Sequence, residues 1–272
     1  MSNEMIDKEK AICQVVDMSI KNFAEGLESK YDAEVDNPDG VINSKKKNIF
    51  IAELGKEFMF YSAFVRSFDS SFGKVLENMG NSIAKLSYEV RGRIDSYLLP
   101  QQEQHITYLM AEYEQHNLVP DVEDYFNFTC VIPKDLTSYK RIHETDNYFY
   151  NPRKKEHYII ELKAGGDLDN KKAKIEKTEL THEFFELKNQ VPNDEIVKIF
   201  LGTAYNKDGE GNVWKQDRVK QYFSEKELLI GKDYWNFVCD SDRGFEIVFG
   251  QYKESAKYIK DALERIKNMY FQ

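Results

Sequence analysis

The chain has 272 residues, of which 41% are hydrophobic and 31% are charged, and this composition can supply the apolar core of one large domain or two small ones. Its formal net charge of −9 argues against nucleic-acid binding over a broad surface, because neutralised phosphates supply most non-specific affinity. The first ten residues are polar, which does not favour secretion. No apolar run approaches the ~20 residues that span a bilayer, so membrane insertion is not favoured either.

The first part of the chain has the spacing of helices. Apolar residues recur every three to four positions, and Asn37 to Gly40 form a polar break. Helices are predicted over 5–31, 47–67, 70–86 and 101–116. A serine, Ser70 or Ser71, is the predicted cap of the third helix, which includes Glu77. Pro120 ends this helical portion.

The remainder alternates between strand and helix signals. Strands are predicted over 125–132, in a hairpin that ends at Lys163, and over 196–201, and helices over 170–189, 233–239 and 250–270. A polar segment, 167–169, forms the entry to the first of these helices. The order of strand, helix and strand after the hairpin predicts a mixed or parallel sheet.

The predicted hairpin carries charged residues in an apolar context. Asp146 lies on its outgoing arm, Asn151 and Pro152 form the turn, and Glu161-Leu162-Lys163 lies on the returning arm. Because strand side chains alternate between faces, Glu161 and Lys163 share one face. Pairing of the arms would bring Asp146 beside Glu161. Two adjacent carboxylates favour a hard divalent cation, and Mg²⁺ is the ion expected there.

Acid-x-Lys triplets also arise by accident in a chain this rich in charge. Three others, Glu28-Ser29-Lys30, Asp169-Asn170-Lys171 and Glu186-Leu187-Lys188, lie in predicted helices or in a polar turn. Glu161-Leu162-Lys163 has a strand context, because residues 158–164 form a nearly continuous apolar run. The competing interpretation is an exposed hairpin with a surface ion pair.

Basic residues cluster locally despite the acidic total. The clusters are 45–47, 153–155, and Lys171, Lys172, Lys174 and Lys177 just beyond the candidate site. Lys171, Lys172 and Lys174 are the candidate DNA-binding residues, because they would lie on the first turns of the helix that follows Glu161. The polar loop 206–216 is a second candidate, and a solvated face is the competing interpretation of any such cluster.

Other site signatures are weak or missing. The sequence has no Gly-x-x-x-x-Gly-Lys-Ser/Thr loop for nucleotide phosphates and no His or Cys set with the spacing of zinc ligands. The three cysteines, Cys13, Cys130 and Cys239, are odd in number and far apart, so no disulfide framework is indicated. A reducing, cytoplasmic location is expected.

Three motifs occur in order along the chain. They are Ser71-Phe72-Gly73-Lys74-Val75-Leu76-Glu77, Glu161-Leu162-Lys163-Ala164-Gly165-Gly166-Asp167-Leu168 and Gly231-Lys232-Asp233-Tyr234-Trp235. With Asp146, this order resembles the type II restriction endonucleases of the PD-(D/E)xK superfamily, and the TdeIII-type family in particular. Thr145-Asp146 stands where the superfamily has Pro-Asp and keeps the carboxylate.

The resemblance implies a role for each candidate residue. Asp146, Glu161 and the Leu162 carbonyl would bind Mg²⁺, for which Mn²⁺ could substitute. Lys163 would orient water or stabilise charge, and Glu77 would be an auxiliary acid of the core's first helix. The implied α/β fold is a restriction-endonuclease-like core, in which helices flank a central mixed β-sheet, preceded by a helical N-terminal portion.

The resemblance also implies an activity and partners. The enzyme would make sequence-specific double-strand cuts in DNA that leave 5′-phosphates, at a GGNCC-like palindromic site. It would act as a homodimer, because two-fold symmetry matches a palindrome, and a cognate DNA methyltransferase would protect the same site.

A single domain over 1–272 is expected. It would comprise a helical portion over about 1–118, a nuclease core over about 70–90 and 120–250, and a C-terminal helix over about 250–270. Two alternatives stay open from the residues. One is a repair or junction nuclease of the same fold, and the other is a non-catalytic module that binds DNA or protein through its acidic helical portion.

Overall fold

A computed structural model describes residues 3–133, 139–165 and 168–271, and within these ranges all side chains except those of residues 3, 4, 95, 140–144 and 146. Two compact units make up the chain. The first consists of residues 1–82 and 246–272, and the second of residues 83–245. That both belong to a single domain remains a prediction.

Helices and strands follow each other as the fold class predicts. In chain order the elements are α1 (Asn3–Glu34), α2 (Ile49–Ala52), α3 (Lys56–Ala84), β1 (Glu89–Tyr97), α4 (Pro100–Glu114), α5 (Glu123–Phe126), β2 (Lys140–Asn151), β3 (Glu156–Lys163), α6 (Asn170–Lys188), β4 (Ile196–Thr203), α7 (Asp217–Lys220), β5 (Leu228–Ile230), α8 (Lys232–Val238) and α9 (Gly244–Phe271), with 3-10 turns at Asn43–Lys47 and Glu225–Glu227.

Aromatic side chains build the core of the first unit. Phenylalanines recur every four residues along α3 from Phe60 to Phe72, so they lie on one face, and neighbouring rings are 5.2–6.0 Å apart. Tyr31 of α1 and Ile266 of α9 are fully buried in the same cluster. Three long helices therefore meet along one aromatic stripe.

The predicted division into helices over 47–67 and 70–86 is wrong, because α3 is one continuous helix over Lys56–Ala84. The helix continues through Ser70 and Ser71, and the Ser71 hydroxyl donates to the Ser67 carbonyl (2.7 Å) inside it. A serine that bonds to the preceding turn is satisfied within a helix and does not start one.

The described part of the second unit contains a mixed sheet with the strand order β1-β2-β3-β4-β5. β2 pairs antiparallel with both β1 and β3, whereas β3, β4 and β5 run parallel. The predicted hairpin, the strand over 196–201 and the mixed sheet are confirmed.

The predicted strand over 125–132 is wrong. Residues 123–126 form α5, and 127–133 belong to no strand. Acidic side chains favour the local turn, because Asp124 Oδ2 accepts from the Asp121 N–H (2.9 Å) and from the Tyr113 hydroxyl (2.7 Å). The first strand of the sheet is instead β1, where no strand is predicted.

α6 is the crossover between the parallel strands β3 and β4. Its predicted entry is confirmed at Asp169, whose side chain caps the helix by accepting from the Lys172 N–H (2.8 Å). Ala173 and Leu180 lie on its buried side with Phe184. The crossover therefore places the first turns of α6 beside the end of β3, where Lys163 pairs with Thr203.

Candidate active site

The hairpin of β2 and β3 brings the predicted site residues toward each other. Asn147, the neighbour of Asp146, lies opposite Ile160, the neighbour of Glu161, and its side-chain amide donates to the Ile160 carbonyl (3.3 Å). The turn is fixed by Asn151, whose side chain accepts from two following N–H groups at 3.1 and 3.2 Å. The side chain of Asp146 lies outside the described residues.

Glu161 and Lys163 share one face of β3, as predicted, and form an ion pair. Lys163 Nζ lies 2.5 Å from Glu161 Oε1. The same ammonium lies 2.8 Å from Glu176 Oε1, on α6. One ammonium therefore lies between two carboxylates from different elements.

Glu176 was not among the predicted site residues. It follows Ala173 by three positions and precedes Leu180 by four, so it lies close to the apolar face of the helix. That apolar spacing was the available signal. Relating it to Lys163 required the direction of the crossover, which the sequence pattern does not define.

The site is sheltered but remains open to solvent. The side chains of Lys163, Glu161 and Glu176 are 28%, 24% and 20% exposed. Burial lowers the pKa of the Lys163 ammonium, but the charges of Glu161 and Glu176 outweigh this and hold the pKa above its ordinary value. Lys163 is therefore a stable cation and a hydrogen-bond donor.

The backbone beyond Lys163 is closely packed. Leu162, the predicted carbonyl ligand, pairs with Gly202 of β4. A Cβ atom added to Gly165 would lie 2.3 Å from the Tyr205 hydroxyl, so a glycine is required unless Tyr205 moves. Gly166 and Asp167, the next two residues of this motif, lie outside the described residues.

The predicted DNA-binding lysines divide into different environments. Lys171 and Lys172 are exposed on the first turn of α6, and Lys174 pairs with Glu114 (2.6 Å). Lys177 is fully buried and paired with Glu227, so it does not belong to a basic surface. The cluster is thus smaller than the sequence indicated.

Glu77 lies in the first unit, on α3, where Lys74 Nζ lies 2.6 Å from its Oε1. Glu161 and Lys163 belong to the second unit. A role for Glu77 in the site stays a prediction.

Oxygen donors dominate the site and suit a hard cation such as Mg²⁺. Glu161 and Glu176 supply two carboxylates. Within the described side chains, no group of three or more His, Cys, Asp or Glu residues is arranged to hold a metal ion. Asp146, whose side chain is outside that set, directly precedes Asn147, which pairs with Ile160, and its part in the site stays a prediction.

The chain matches one protein family along most of its length. Residues 8–256 match the model of the family described as "Type II restriction endonuclease, HinfI". No curated protein and no solved structure matches the chain. Among the described residues, no helix is both long and apolar enough to cross a membrane.

The class predicted from the motifs, a type II restriction endonuclease, is confirmed, although the matching family is HinfI and the motifs resemble the TdeIII-type family. The mixed sheet with flanking helices agrees with a restriction-endonuclease-like α/β fold, and a PD-(D/E)xK core is consistent with the match. The chain therefore belongs to the HinfI family of type II restriction endonucleases, which are site-specific deoxyribonucleases.

Proposed function

We propose that this restriction endonuclease depends on Mg²⁺, which Mn²⁺ can replace, and that it cuts both strands of DNA by phosphodiester hydrolysis that leaves 5′-phosphates. Asp146, Glu161 and the Leu162 carbonyl hold the metal ion. Lys163 orients the attacking water or stabilises charge on the phosphate, and Glu77 is an auxiliary acid. Exposed Lys171 and Lys172, with Lys174, contact the DNA.

The position of Lys163 carries this proposal. Its ammonium lies 2.5 Å from Glu161 and 2.8 Å from Glu176, at the end of a strand with neighbours on both sides. A surface ion pair, the competing interpretation, would not require a second carboxylate from a crossing helix. A partly exposed cation between acids can donate to a phosphate or to a water.

The donor set supports a divalent ion at this place, since carboxylate and carbonyl oxygens are the ligands that Mg²⁺ takes. When bound, the ion would polarise the scissile phosphate and lower the pKa of a water. Glu161 would then turn from the Lys163 ammonium toward the ion, and Glu176 would keep Lys163 in place. This division of work explains why one lysine contacts two acids.

We also propose that the enzyme acts as a homodimer on a palindromic site, with a DNA methyltransferase that modifies the same site. The GGNCC-like target comes from the TdeIII-type resemblance and is the first sequence to test. The free thiols of Cys13, Cys130 and Cys239 support action in a reducing cytoplasm.

A plasmid digest tests the proposal. Wild-type protein with Mg²⁺ should give discrete fragments with ligatable 5′-phosphate ends, and chelation of the metal by EDTA should abolish cutting. Lys163→Ala and Asp146→Ala should cut at least about a thousandfold more slowly, because one loses charge stabilisation and the other a metal ligand.

Lys198→Ala is a matched control. Lys198 of β4 pairs with Glu156 of β3 (2.7 Å) and is partly exposed, as Lys163 is. It lies at the opposite end of these two strands from Lys163. It should cut at the wild-type rate. A fully active Lys163→Ala protein, or cutting that persists in EDTA, would contradict the proposed chemistry.

A further inference from the structure

An open groove of about 560 Å³ lies in the first unit, between the loop that follows α1 and the middle of α3. Lys30, Lys45 and Arg66 line it, together with Ser67, Ser70 and Ser71. Three cationic side chains thus face one space. This is the donor set that proteins present to phosphate oxygens.

The three cations are available to a ligand. Lys30 Nζ donates to the Ser67 hydroxyl (2.9 Å), a neutral acceptor. Across the described side chains, neither Lys30, Lys45 nor Arg66 makes an ion pair with a carboxylate. Asp39 is the one acid among the described residues lining the groove, and it is bound by Lys47 at 2.5 Å. The groove is therefore positive on a chain with a net charge of −9.

The loop that carries Lys45 is held in one conformation by its own hydrogen bonds. The Asn43 amide donates to the carbonyls of Val35 (2.8 Å) and Asn37 (2.9 Å), and the Val41 N–H donates to Glu34 Oε2 (2.8 Å). A 3-10 turn over Asn43–Lys47 completes it. A lysine on a pre-organised loop loses less conformational entropy when it binds an anion.

We propose that this groove binds the phosphodiester backbone of duplex DNA and so contributes a second contact between the enzyme and its substrate. The inference rests on the family's action on DNA, but not on the roles proposed for Glu161 and Lys163. Contacts to phosphates carry no sequence information, so the groove adds affinity on any duplex and helps to position the protein.

Fluorescence anisotropy with duplex DNA and no divalent metal tests the groove separately from cleavage. The variant Lys30→Gln/Lys45→Gln/Arg66→Gln should bind cleavable and unrelated duplexes about tenfold or more weakly. The slope of log Kd against log salt should fall by about 0.9 for each phosphate that the variant no longer neutralises. The control, Lys21→Gln/Lys56→Gln/Lys260→Gln, changes three exposed lysines of the same unit that do not line the groove and leaves the same net charge. It should bind like wild type.

Asp39→Asn provides a test whose expected result, a gain in DNA binding, cannot come from misfolding. It removes the carboxylate from the groove and releases Lys47, so DNA should bind more tightly and with a steeper salt dependence. Equal binding by the groove and control variants, or weaker binding by Asp39→Asn, would overturn the proposal. Tighter binding of RNA than of duplex DNA, abolished in the groove variant, would also overturn it.

The catalytic proposal and the groove proposal fail separately. Loss of binding in the groove variant, combined with no cutting by wild type in Mg²⁺, would support the groove proposal and reject the catalytic roles. Cutting by wild type, with unchanged binding in the groove variant, would reject the groove alone.

Discussion

At the scale of single residues, the site contains two residues that the strand pattern predicts, Glu161 and Lys163, and one that only the crossover brings to it, Glu176. Glu161 and Lys163 share a face because strand side chains alternate, as the sequence predicts, and they form an ion pair. Glu176 lies on α6 and contacts Lys163 because the crossover returns over the sheet. A residue that joins a site from another element has no local signature, and the sequence showed only that its helix face is apolar.

Glu176→Gln should lower the rate of plasmid cleavage by about tenfold to a hundredfold, as removing the partner of a site residue commonly does. The amide keeps the shape of the side chain but loses the charge that holds Lys163 in place. The rate would be measured at saturating Mg²⁺ and DNA, so that weaker binding does not contribute.

Glu179→Gln is the control for that change. Glu179 lies three residues farther along α6, is half-exposed, and is 3.6 Å from His182. Its replacement should leave the cleavage rate unchanged. Equal rates for the two variants would show that Glu176 does not position Lys163.

His157 is a buried titratable residue at the other end of β3. Its Nε2 lies 2.6 Å from Glu195 Oε2, and its Nδ1 lies 2.9 Å from the Tyr148 hydroxyl. Burial lowers the pKa of His157, and the Glu195 carboxylate offsets this only in part. The neutral ring fits its partners, with Nε2 donating to Glu195 and Nδ1 accepting from Tyr148.

The free energy of unfolding should therefore fall as the pH is lowered from 7.5 to 5.5. The unfolded chain takes up a proton near the ordinary histidine pKa of about 6.5, whereas folded His157 takes it up only at lower pH. The stabilising contribution is present above the unfolded pKa and is lost as the pH falls through that value toward the folded pKa.

Urea unfolding at several pH values measures this dependence. His157→Gln should flatten it, whereas His116→Asn, a change at an exposed residue with a positive φ of 58°, should keep it. Parallel pH profiles for wild type and His157→Gln would show that His157 does not cause it.

At the scale of elements, α6 is attached to the rest of its unit by a buried ion pair. Lys177 and Glu227 are both fully buried, and Glu227 also accepts from the Tyr125 hydroxyl (2.8 Å) and from the Ser224 N–H (2.8 Å). The Lys177 ammonium lies 4.7 Å from the centre of the Tyr125 ring. Lys177 follows Glu176 directly, so this contact fixes the rotation of the helix that presents Glu176 to the site.

Glu227→Gln should lower the free energy of unfolding by about 3 kcal/mol, because it leaves a buried ammonium without its counter-charge. The double variant Lys177→Met/Glu227→Gln should be more stable than Glu227→Gln alone, since no uncompensated charge remains. Chemical denaturation gives both values.

Asp194→Asn serves as the comparison at the surface. It breaks the exposed Lys155–Asp194 pair and should change stability little. If Glu227→Gln were no less stable than Asp194→Asn, the buried pair would not hold α6 in place.

Elements with a clear period were predictable, and elements defined by tertiary contacts were not. α1, α4, α6, β4 and α8 match the predicted ranges closely. β1 was missed because Gly92 and Ser96 interrupt the apolar face that Val90 and Ile94 would form along this strand. β5 has three residues and forms only by pairing with the end of β4. Such short strands depend on their neighbours more than on their own sequence.

At the scale of the whole molecule, the chain passes through the first unit twice. α1 and most of α3 come before the second unit, and α9 from Glu246 onward comes after it. Ile266 of α9 is fully buried in the aromatic core of the first unit, and the Ser255 hydroxyl donates to Asp17 Oδ1 of α1 (2.6 Å). The last helix is thus a structural part of the unit that begins the chain.

Ile266→Ala should therefore destabilise the protein by about 3 kcal/mol, because it removes buried apolar surface and leaves a cavity in the core. Lys260→Ala, at an exposed position of the same helix, should change stability by less than about 0.5 kcal/mol. Thermal unfolding followed by circular dichroism measures both. An equal effect of the two variants would mean that α9 does not close this core.

The two-part first unit also sets an order of events during synthesis. The second unit is continuous in sequence and can complete its sheet as it leaves the ribosome, whereas α1 and α3 must wait for α9. At about 5–20 residues per second, that wait lasts on the order of ten seconds. During this time the aromatic stripe from Phe60 to Phe72 lacks the side that α9 covers, where Phe60 contacts Tyr270 and Phe271, and this apolar surface is open to chaperones.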